Sequence, residues 1–402
     1  MADSYDVIVV GGGILGLSTA HSLLLERPNL RLALLEKEPE LALHQTGHNS
    51  GVVHSGIYYA PGTLKARLCV SGKRMLEDYA DHRGIARATP GKLIVALDES
   101  ELGRLAELER RGRENGVEGL RLLEGDELRK VEPNVRGIRA LHAPTTGVID
   151  YRQVAASLAA DVRGAGGSIE LGRKVTALAT RNGLADVDTP GASFTAGAVV
   201  TCGGLQSDRL ARLAGDEVGR PRIVPFRGDY YTLGARAGAL VAGLVYPVPD
   251  PSFPFLGVHL TKGVDSTVVA GPNAVLSLAR EKYGRASFSP RDAASTLSYP
   301  GFWRFAARHF RTGAAEIWRD VSRRAFVREI QRYVPAVTET DVRFGPSGIR
   351  AQALGRDGRL VDDFAFDGTD RVLHVVNAPS PAATSSLAIG AHIARLVLEQ
   401  LL

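Results

Sequence analysis

The most constraining feature of this sequence is a glycine motif close to its amino terminus, formed by Gly11, Gly13 and Gly16. The apolar run Tyr5–Val10 in front of the motif predicts a short buried strand, and the apolar spacing of Leu15–Leu25 behind it predicts a helix. A G-x-G-x-x-G motif between a strand and a helix is typical of a nucleotide-binding unit of the Rossmann type. The sequence therefore predicts a dinucleotide site in this turn.

A second predicted strand, Arg31–Leu35, completes a strand–helix–strand unit and ends at Glu36, 20 residues after Gly16. In such a unit the first glycine permits a tight turn, and Gly13 lets the backbone approach a pyrophosphate at the helix amino terminus. Gly16 lets the helix pack closely on the strand. The carboxylate of Glu36 can accept hydrogen bonds from ribose hydroxyls and would repel a 2′-phosphate, which argues against NADP.

Glycine-rich segments far from this turn favour FAD over NAD. A flavin dinucleotide is long, and we expect several separated stretches of chain to hold it. Segments 44–59, 201–204 and 345–352 have the small and polar residues for such contacts.

The predicted elements indicate one domain that is interrupted by a second. Strands and helices alternate at both ends and in the middle, whereas the part after Pro221 carries strands separated by turn residues and a helical stretch at 290–333. We therefore predict an α/β fold, with a Rossmann-type FAD-binding domain interrupted by an α+β substrate domain whose sheet is mostly antiparallel. The predicted FAD-binding domain comprises 1–90, 145–222 and 340–402, and the substrate domain comprises 91–144 and 223–339. The active site is expected where the two domains meet.

Cysteine usage and targeting signals narrow the class of protein. The 402 residues include 2 cysteines, Cys69 and Cys202, too far apart in sequence for a zinc motif or a disulfide framework. Apolar runs stay below the roughly 18 residues that a membrane span needs, and Asp3 and Asp6 stand where a signal peptide carries basic residues. We expect a cytoplasmic protein that starts at Met1, with peripheral contact to the inner face of the membrane left open.

The formal net charge of +5 comes mostly from scattered arginines. The densest cluster, at 319–328, has Trp318 and Phe326 interleaved, and we interpret it as a solvated helix face that buries its aromatic residues. An anionic substrate or an anionic membrane surface are the alternatives. The sequence has no nucleic-acid-binding motif, so we expect no nucleic-acid partner.

Segment 44–59, HQTGHNSGVVHSGIYY, combines three histidines with glycines, hydroxyl residues and tyrosines. Its glycines let the backbone approach a planar ring. Either His48 or His54 could remove a proton from a substrate hydroxyl, because imidazole titrates near neutral pH. The segment has no carboxylate or cysteine beside its histidines, so we predict no metal site.

Several motifs together resemble one flavoprotein family. They are GGGILGLSTAHSL and HQTGHNSGVVHSGIYYAPGTLKARLC near the amino terminus, and then PFRGDYY (Pro225–Tyr231), FPFLGVHLT (Phe253–Thr261), GPSGIRAQ (Gly345–Gln352) and NAPSPAATSSLAIG (Asn377–Gly390). In this order they are similar to the L-2-hydroxyglutarate oxidase/dehydrogenase family, which belongs to the FAD flavoproteins like glycine oxidase and D-amino-acid oxidase. The resemblance implies non-covalent FAD and oxidation of (S)-2-hydroxyglutarate to 2-oxoglutarate. It also implies transfer of the electrons to oxygen or to a membrane quinone.

A dicarboxylate hydroxyacid needs two cationic partners in a buried site, and arginine can bind a carboxylate through two hydrogen bonds. We expect Arg227 and Arg350 to supply them, with neutral donors from Tyr59, Tyr230 and Thr261. The expected proton acceptor is His54, with His259 as the second choice.

We expect the cofactor to be bound by Gly11, Gly13, Ile14, Gly16, Glu36, Lys37, Thr46, His48, Asn49, Ser50, Val175, Gly203, Gly348, Ser380, Pro381, Ala382 and Thr384. The last four begin a helix predicted from Pro381 to Leu402, with Ser380 as its N-cap. Its positive end is expected to face the flavin.

Two other functions remain open at this point. An FAD-dependent amine or amino-acid oxidase, or an oxidase of another 2-hydroxyacid, would use the same kind of site. A flavin-binding protein without turnover would need only the cofactor residues.

Overall fold

The structure is a computed structural model in which residues 3–215, 221–250 and 255–402 are described. The predicted start at Met1 and the first two residues of the Phe253–Thr261 motif lie outside the described residues. The strands, in chain order, are β1 (Asp3–Val10), β2 (Leu32–Leu35), β3 (Val52–Val53), β4 (Arg87–Ala88), β5 (Lys92–Ala96), β6 (Arg121–Glu124), β7 (Arg139–Ala143), β8 (Gly147–Ile149), β9 (Ser168–Glu170), β10 (Ala177–Arg181), β11 (Leu184–Thr189), β12 (Ala192–Thr201), β13 (Arg222–Leu233), β14 (Leu244–Pro247), β15 (His259–Lys262), β16 (Val268–Gly271), β17 (Val275–Leu276), β18 (Val342–Leu354), β19 (Ala365–Gly368) and β20 (Val372–Asn377).

The helices, in the same order, are α1 (Ile14–Glu26), α2 (Leu64–Arg83), α3 (Leu102–Glu114), α4 (Gly125–Val131), α5 (Tyr151–Gly164), α6 (Ser207–Leu213), α7 (Ala235–Gly238), α8 (Pro290–Leu297), α9 (Pro300–Arg308), α10 (Phe310–Val321), α11 (Arg323–Gln331) and α12 (Ser386–Gln400). In the described ranges, no helix is both long and apolar enough to cross a membrane.

The first large sheet has a parallel centre, in which β20, β12, β1, β2 and β9 lie side by side. Strand β1 is buried on both faces: Val7 and Val9 join a core with the helices, and Ile8 and Val10 join a second core on the other face. Helices α1, α5 and α12 cover the first face. This sheet therefore carries the glycine turn on the loop after β1.

The second large sheet runs in the order β17-β13-β16-β15-β14-β5-β7-β6, with β18 beside β13. Its strand pairs are antiparallel apart from β14 and β5. A small third sheet, β3-β8-β4, completes the architecture. The expected α/β class, with a mostly antiparallel second sheet, is confirmed.

Several predicted boundaries differ from the structure. The sequence of 102–114 predicts a helix with the bounds of α3. Helix α2 is absent from the prediction, because its buried face carries Lys65, Cys69 and Gly72 beside a single fully buried leucine, Leu76. Strand β18 extends the predicted segment 342–344 through Gly345 and Pro346, and it pairs with β13. The predicted domain boundary at 340 thus precedes a strand of the second sheet.

The arginine-rich helices bury only one of their two predicted aromatic residues. Phe326 of α11 is fully buried, whereas 63% of Trp318 in α10 is exposed. The interpretation of this segment as a face that buries its aromatics is therefore wrong for Trp318.

Candidate active site

A cavity of about 1050 Å³, here called the central cavity, lies between the two large sheets. Four parallel strands of the first sheet end at it, with Val10, Leu35, Cys202 and Asn377 in its lining. Residues of β13, β14, β15 and β18 line the opposite side. Ligands of open α/β sheets bind at the carboxyl ends of the strands, and this volume lies at the upper end for small-molecule sites. The cavity can therefore hold an elongated cofactor together with a small substrate.

The glycine turn forms one wall of the central cavity through Gly11, Gly13 and Ile14. Gly11 has φ of +116°, and a Cβ there would lie 2.5 Å from the carbonyl oxygen of Cys202. A Cβ on Gly16 would lie 1.9 Å from the carbonyl oxygen of Gly11, so Gly16 serves helix packing and does not line the cavity. Because the glycines of this turn have no side chains, a ligand can approach its backbone closely.

Glu36 is buried at the same end of the cavity as Val175 and Gly203. Its carboxylate accepts hydrogen bonds from the backbone N–H of Gly12 at 2.5 Å and of Glu38 at 2.9 Å. These bonds fix the carboxylate beside the glycine turn, where an acidic residue can bind ribose hydroxyls.

Lys37 lines the cavity, but its ammonium is bound by protein groups. It contacts the carboxylates of Glu38 and Glu281 and the imidazole of His44. Ligand atoms of these three partners lie within 4.8 Å of one another. Lys37 therefore supplies the positive charge of this cluster and links the first sheet's loop to the segment after β17.

The loop after β2 is held by its own polar side chains. The Thr46 hydroxyl accepts a hydrogen bond from the N–H of Ile14 at 2.9 Å, which caps α1. The Asn49 amide donates to the carbonyl of Thr46 at 2.7 Å and accepts from the N–H of Gly51 at 2.8 Å. Both residues line the cavity, and their hydrogen bonds set the loop's shape.

His48 joins this loop to β18. Its Nδ1 donates to the carbonyl of Ser347 at 2.9 Å, and a Cβ on Gly348 would lie 2.6 Å from the carbonyl oxygen of His48. The imidazole also stacks on Tyr283. The hydrogen bond and the stack thus hold His48 between the loop, β18 and Tyr283.

His54 lines the central cavity beside the segment that precedes α12. Its backbone N–H donates to the Thr384 hydroxyl at 3.0 Å, and its Nε2 lies 3.4 Å from the Ser380 hydroxyl. Among the residues that the structure describes, its buried Nδ1 has no hydrogen-bond partner. Burial, followed by the charge of Lys92 and the proximity of His259, holds the pKa of His54 well below its usual value. The ring is therefore uncharged at neutral pH.

His259 lies on β15 and also lines the cavity. Its Nδ1 donates to the carbonyl of Gly257 at 2.9 Å, which leaves Nε2 as the acceptor. The ring stacks on Tyr246, with centroids 4.0 Å apart. Burial above all, with smaller effects from Lys92 and Arg350, lowers the pKa of His259 to about 3. The structure thus brings the two expected proton acceptors to one cavity.

Arg350 of β18 lines the cavity, with its guanidinium carbon 5.2 Å from the ring centroid of Phe255. Across the described residues, no carboxylate lies within ion-pair distance of it; Glu316 acts on it only at longer range. Tyr230 lies nearby and also lines the cavity; burial raises the pKa of its hydroxyl, and the charge of Arg350 lowers it. A half-buried cation that lines a cavity without a counter-ion can bind an anionic ligand.

Arg227 does not line the central cavity. Its guanidinium is buried and bound by Asp229 at 2.9 Å, by Asp320 at 3.1 Å and by the carbonyl of Arg285 at 2.8 Å. The alternation of side chains along β13 turns it away from Tyr230 and Gly228, which do line the cavity. The expectation that Arg227 holds a substrate carboxylate is therefore wrong in this geometry.

Thr261 and Tyr59 also lie outside the lining. The Thr261 hydroxyl is buried 3.4 Å from that of Tyr246, and the ring centroid of Tyr59 lies 5.5 Å from the ammonium of Lys65. Lys65, at the start of α2, does line the cavity and pairs with Asp362 at 3.0 Å. Thr261 and Tyr59, the expected donors of hydrogen bonds to the substrate, can therefore act only through their neighbours.

The segment before α12 lines the cavity through Ser380, Pro381, Ala382 and Thr384. The helix itself begins at Ser386, not at the predicted Pro381, and Ser380 does not cap it. Residues 380–385 form turns instead, and the Thr384 hydroxyl is used by Tyr151 and by the backbone of His54.

Sequence reasoning missed Tyr246, Lys92, Glu281 and Tyr283. The only signal for Lys92 was a lysine at the start of an apolar run, KLIVA, and the other three stand in no recognisable motif. Their importance arises from contacts between segments far apart in the chain.

Comparisons with known proteins agree with this geometry. The family model described as "FAD dependent oxidoreductase" matches residues 6–396. L-2-hydroxyglutarate dehydrogenase of Bos taurus, a mitochondrial protein, is 46% identical over 415 residues, which cover 99% of this chain and 89% of the relative. The enzyme of the same name from Indibacter alkaliphilus is 42% identical, covering 98% of this chain and 99% of the relative. That from Escherichia coli K12 is 43% identical, covering 97% and 92%.

Solved structures share the fold at lower identity. L-alpha-glycerophosphate oxidase from Mycoplasma pneumoniae, with FAD bound, has a TM-score of 0.79 and 24% identity, covering 99% of this chain and 95% of the other. Glycine oxidase from Geobacillus kaustophilus has a TM-score of 0.72 and 19% identity, covering 99% and 96%.

Proposed function

The chain belongs to the FAD-dependent oxidoreductase family and to its L-2-hydroxyglutarate dehydrogenases, and from this membership we propose that it oxidises L-2-hydroxyglutarate to 2-oxoglutarate. The observation that carries the proposal is the half-buried guanidinium of Arg350, which lines the central cavity without an ion-pair partner among the described residues. A dicarboxylate substrate supplies the missing anion.

FAD is the cofactor of this family, and the central cavity fits it. The glycine turn and Glu36 would hold its nucleotide part, and His48, Gly348 and the segment 379–384 would surround the flavin. When bound, FAD supplies the acceptor for the hydrogen on C2 together with its two bonding electrons. Segment 44–59 contains no cysteine, which supports non-covalent binding.

Arg350 would bind one substrate carboxylate through the two parallel hydrogen bonds that a guanidinium offers. The hydroxyl of Tyr230 lies close enough to Arg350 to join this contact. Lys65 is the candidate for the second carboxylate, because it lines the cavity and its partner Asp362 is fully exposed to water. Lys65 is buried but the Asp362 carboxylate is solvated, so the substrate could replace Asp362 as the partner at little cost.

One of the two uncharged imidazoles would take the hydroxyl proton. The hydroxyl proton would pass to the imidazole, and the electron pair left on oxygen would form the C=O bond of 2-oxoglutarate as the hydrogen on C2 leaves with its bonding pair for the acceptor that FAD would supply. His54 is the first candidate, because it lies beside the segment 379–384 that we expect to surround the flavin. His259 is the second, since its Nε2 is free to accept.

The test is anaerobic reduction of the bound flavin by a panel of both enantiomers of 2-hydroxyglutarate, 2-hydroxybutyrate, lactate and glutamate. Rapid bleaching by the L enantiomer alone supports the proposal. Bleaching by glutamate but not by 2-hydroxyglutarate would show an amino-acid oxidase instead. A flavin that none of these compounds reduces would point to a protein without oxidase turnover.

We propose that the electron acceptor is a quinone, which the protein reaches by binding to an anionic membrane surface. Helix α10 carries Phe310, Ile317, Trp318 and Val321 on one side, and each is more than half exposed. This spacing places them on one helix face, and a soluble helix normally buries such a face. Trp303 of α9 extends the exposed apolar area.

Arginines surround this apolar face. Exposed or partly exposed guanidiniums in α9 to α11 belong to Arg304, Arg308, Arg311, Arg319, Arg323, Arg324 and Arg328. Apolar residues that insert into the interface and cations that bind acidic head groups are the two parts of peripheral membrane binding. The surface therefore supports a partner of anionic lipid.

Vesicle sedimentation tests this surface. The holoenzyme should bind vesicles that contain phosphatidylglycerol and should bind zwitterionic phosphatidylcholine vesicles weakly. Substituting Ile317 and Trp318 by serine should abolish binding, whereas Leu25→Ser, a matched change of an exposed leucine on α1, should not. Equal binding by all three proteins would refute the membrane surface.

A further inference from the structure

Lys92 is a buried lysine in the middle of the second sheet. It begins β5, between β14 and β7, and only 2% of it is exposed. In the ranges the structure describes, no carboxylate lies within ion-pair distance of its ammonium, which contacts aromatic rings instead. A buried lysine without an anion is unfavourable for folding, so its presence calls for a functional reason.

Two tyrosine rings surround the ammonium. The nitrogen lies 4.2 Å from the ring centroid of Tyr246 and 5.2 Å from that of Tyr58. Tyr246 lines the central cavity, and its ring also stacks on His259. The ring of Tyr246 therefore lies between the ammonium of Lys92 and His259, a candidate proton acceptor.

The other groups near this cluster carry no compensating negative charge. Burial raises the pKa of the Cys69 thiol to about 12 and raises the pKa of Tyr58, Tyr59 and Tyr246, so these groups stay neutral. Arg350 is the second cation near His259. The charge of Lys92 thus acts on both imidazoles without an anion to screen it.

We propose that Lys92 is a positioning residue for substrate oxidation, whose buried charge adds to the effect of burial and opposes protonation of His54 and His259, so that the two rings keep the uncharged form that can accept the hydroxyl proton. The lysine itself has its pKa lowered to about 7 by burial. It is therefore protonated at the acidic pH values at which an imidazole would otherwise take a proton. Below pH 7 the ammonium opposes protonation of its neighbours.

The effect of Lys92 on catalysis rests on the proposed function, whereas its effect on the imidazoles can be measured without substrate. The first measurement uses ¹⁵N-histidine-labelled holoenzyme without substrate, with the imidazole signals assigned through His54→Asn and His259→Asn. In the natural protein both rings should stay uncharged down to about pH 5. In Lys92→Met at least one of them should titrate at a pH higher by about one unit. Lys92→Arg keeps the charge and should behave like the natural protein.

The second measurement is the pH profile of anaerobic flavin reduction by L-2-hydroxyglutarate. The acidic limb, where the base becomes protonated, should move to higher pH in Lys92→Met and stay in place in Lys92→Arg. A purely structural lysine would change the rate without moving this limb.

The outcomes separate the two proposals. Imidazoles that titrate near pH 6.5 in the natural protein overturn the inference, and this result needs no variant that might fail to fold. An unmoved limb in a Lys92→Met enzyme that holds FAD overturns it as well. Flavin that L-2-hydroxyglutarate does not reduce, together with imidazoles that titrate as expected, overturns the proposed function alone.

Discussion

The imidazole of His48 lies parallel to the phenol ring of Tyr283, with 3.6 Å between the ring centroids and 4° between the planes. His48 belongs to the loop after β2, whereas Tyr283 follows β17. Tyr283 also contacts His44, whose imidazole is 3.3 Å from its hydroxyl. Tyr283 thus connects two histidines of the loop after β2 to the segment that follows β17 of the second sheet.

Replacing Tyr283 by alanine should weaken FAD retention. An aromatic pair of this kind contributes roughly 0.5–1.5 kcal/mol, so the dissociation constant should rise about 2- to 12-fold. Tyr283→Phe keeps the ring and should retain FAD nearly as well as the natural protein. Flavin fluorescence during dialysis measures both, and equal retention by the alanine variant would exclude a role for the stack.

Arg227→Ala should destabilise the fold without a specific effect on substrate binding. The change leaves Asp229, and beside it the carboxylate of Asp320, without a guanidinium that both now share. Arg285 still pairs with both carboxylates after the change, so the loss should fall below the about 3–5 kcal/mol that is typical of removing one member of a buried ion pair. Urea unfolding of the holoenzyme measures the loss. A stable variant with a raised substrate dissociation constant would instead return Arg227 to the site.

Arg350→Ala should have the opposite effects. Its half-buried guanidinium has no ion pair with any described residue, so its removal breaks no ion pair and should not lower the free energy of unfolding. Charge-assisted hydrogen bonds contribute about 1.5–3 kcal/mol, so the dissociation constant of 2-hydroxyglutarate should rise at least tenfold. Arg350→Lys should restore little, because an ammonium lacks the planar fork. Stopped-flow flavin reduction across substrate concentrations provides the measurement, and unchanged affinity would contradict the anchor.

His54→Asn should slow flavin reduction by roughly 10²–10⁴-fold if His54 is the general base. The asparagine keeps a polar side chain beside Ser380, so FAD binding should persist. His259→Asn is the matched control on the other side of the cavity. If His259→Asn slows flavin reduction and His54→Asn does not, His259 is the general base instead of His54.

The sequence predicted the local parts of the site better than the long-range ones. Gly11, Glu36 and the strands around them could be predicted, because a strand–turn–helix unit depends on spacing within about 30 residues. The apolar run 372–377 likewise predicts a strand, and the structure has it as β20; helix α3 also matches the prediction from its own sequence. These elements have local signals that tertiary contacts do not override.

The arginines illustrate what the sequence could not provide. Arg227 and Arg350 stand in similar glycine-containing motifs, and their strands pair directly, with Phe226 opposite Arg350. Which guanidinium faces the cavity depends on strand register and on Asp320, 93 residues further along the chain than Arg227. Lys92 was missed for the same reason, since its tyrosine and histidine neighbours come from other strands and loops.

The buried Lys92 should make the stability of the protein depend on pH. Its pKa falls from 10.5 in the unfolded chain to about 7 in the folded protein, so between these values the unfolded chain binds more protons. The penalty of burying the ammonium is therefore complete below pH 7, decreases as pH rises, and is gone near 10.5. Relative to Lys92→Met, the natural protein should gain up to about 1.4 kcal/mol in free energy of unfolding per pH unit above 7.5. Urea unfolding of both proteins at saturating FAD, at pH 7.5, 8.5 and 9.5, gives this difference directly, and two parallel curves would show that Lys92 keeps its proton throughout.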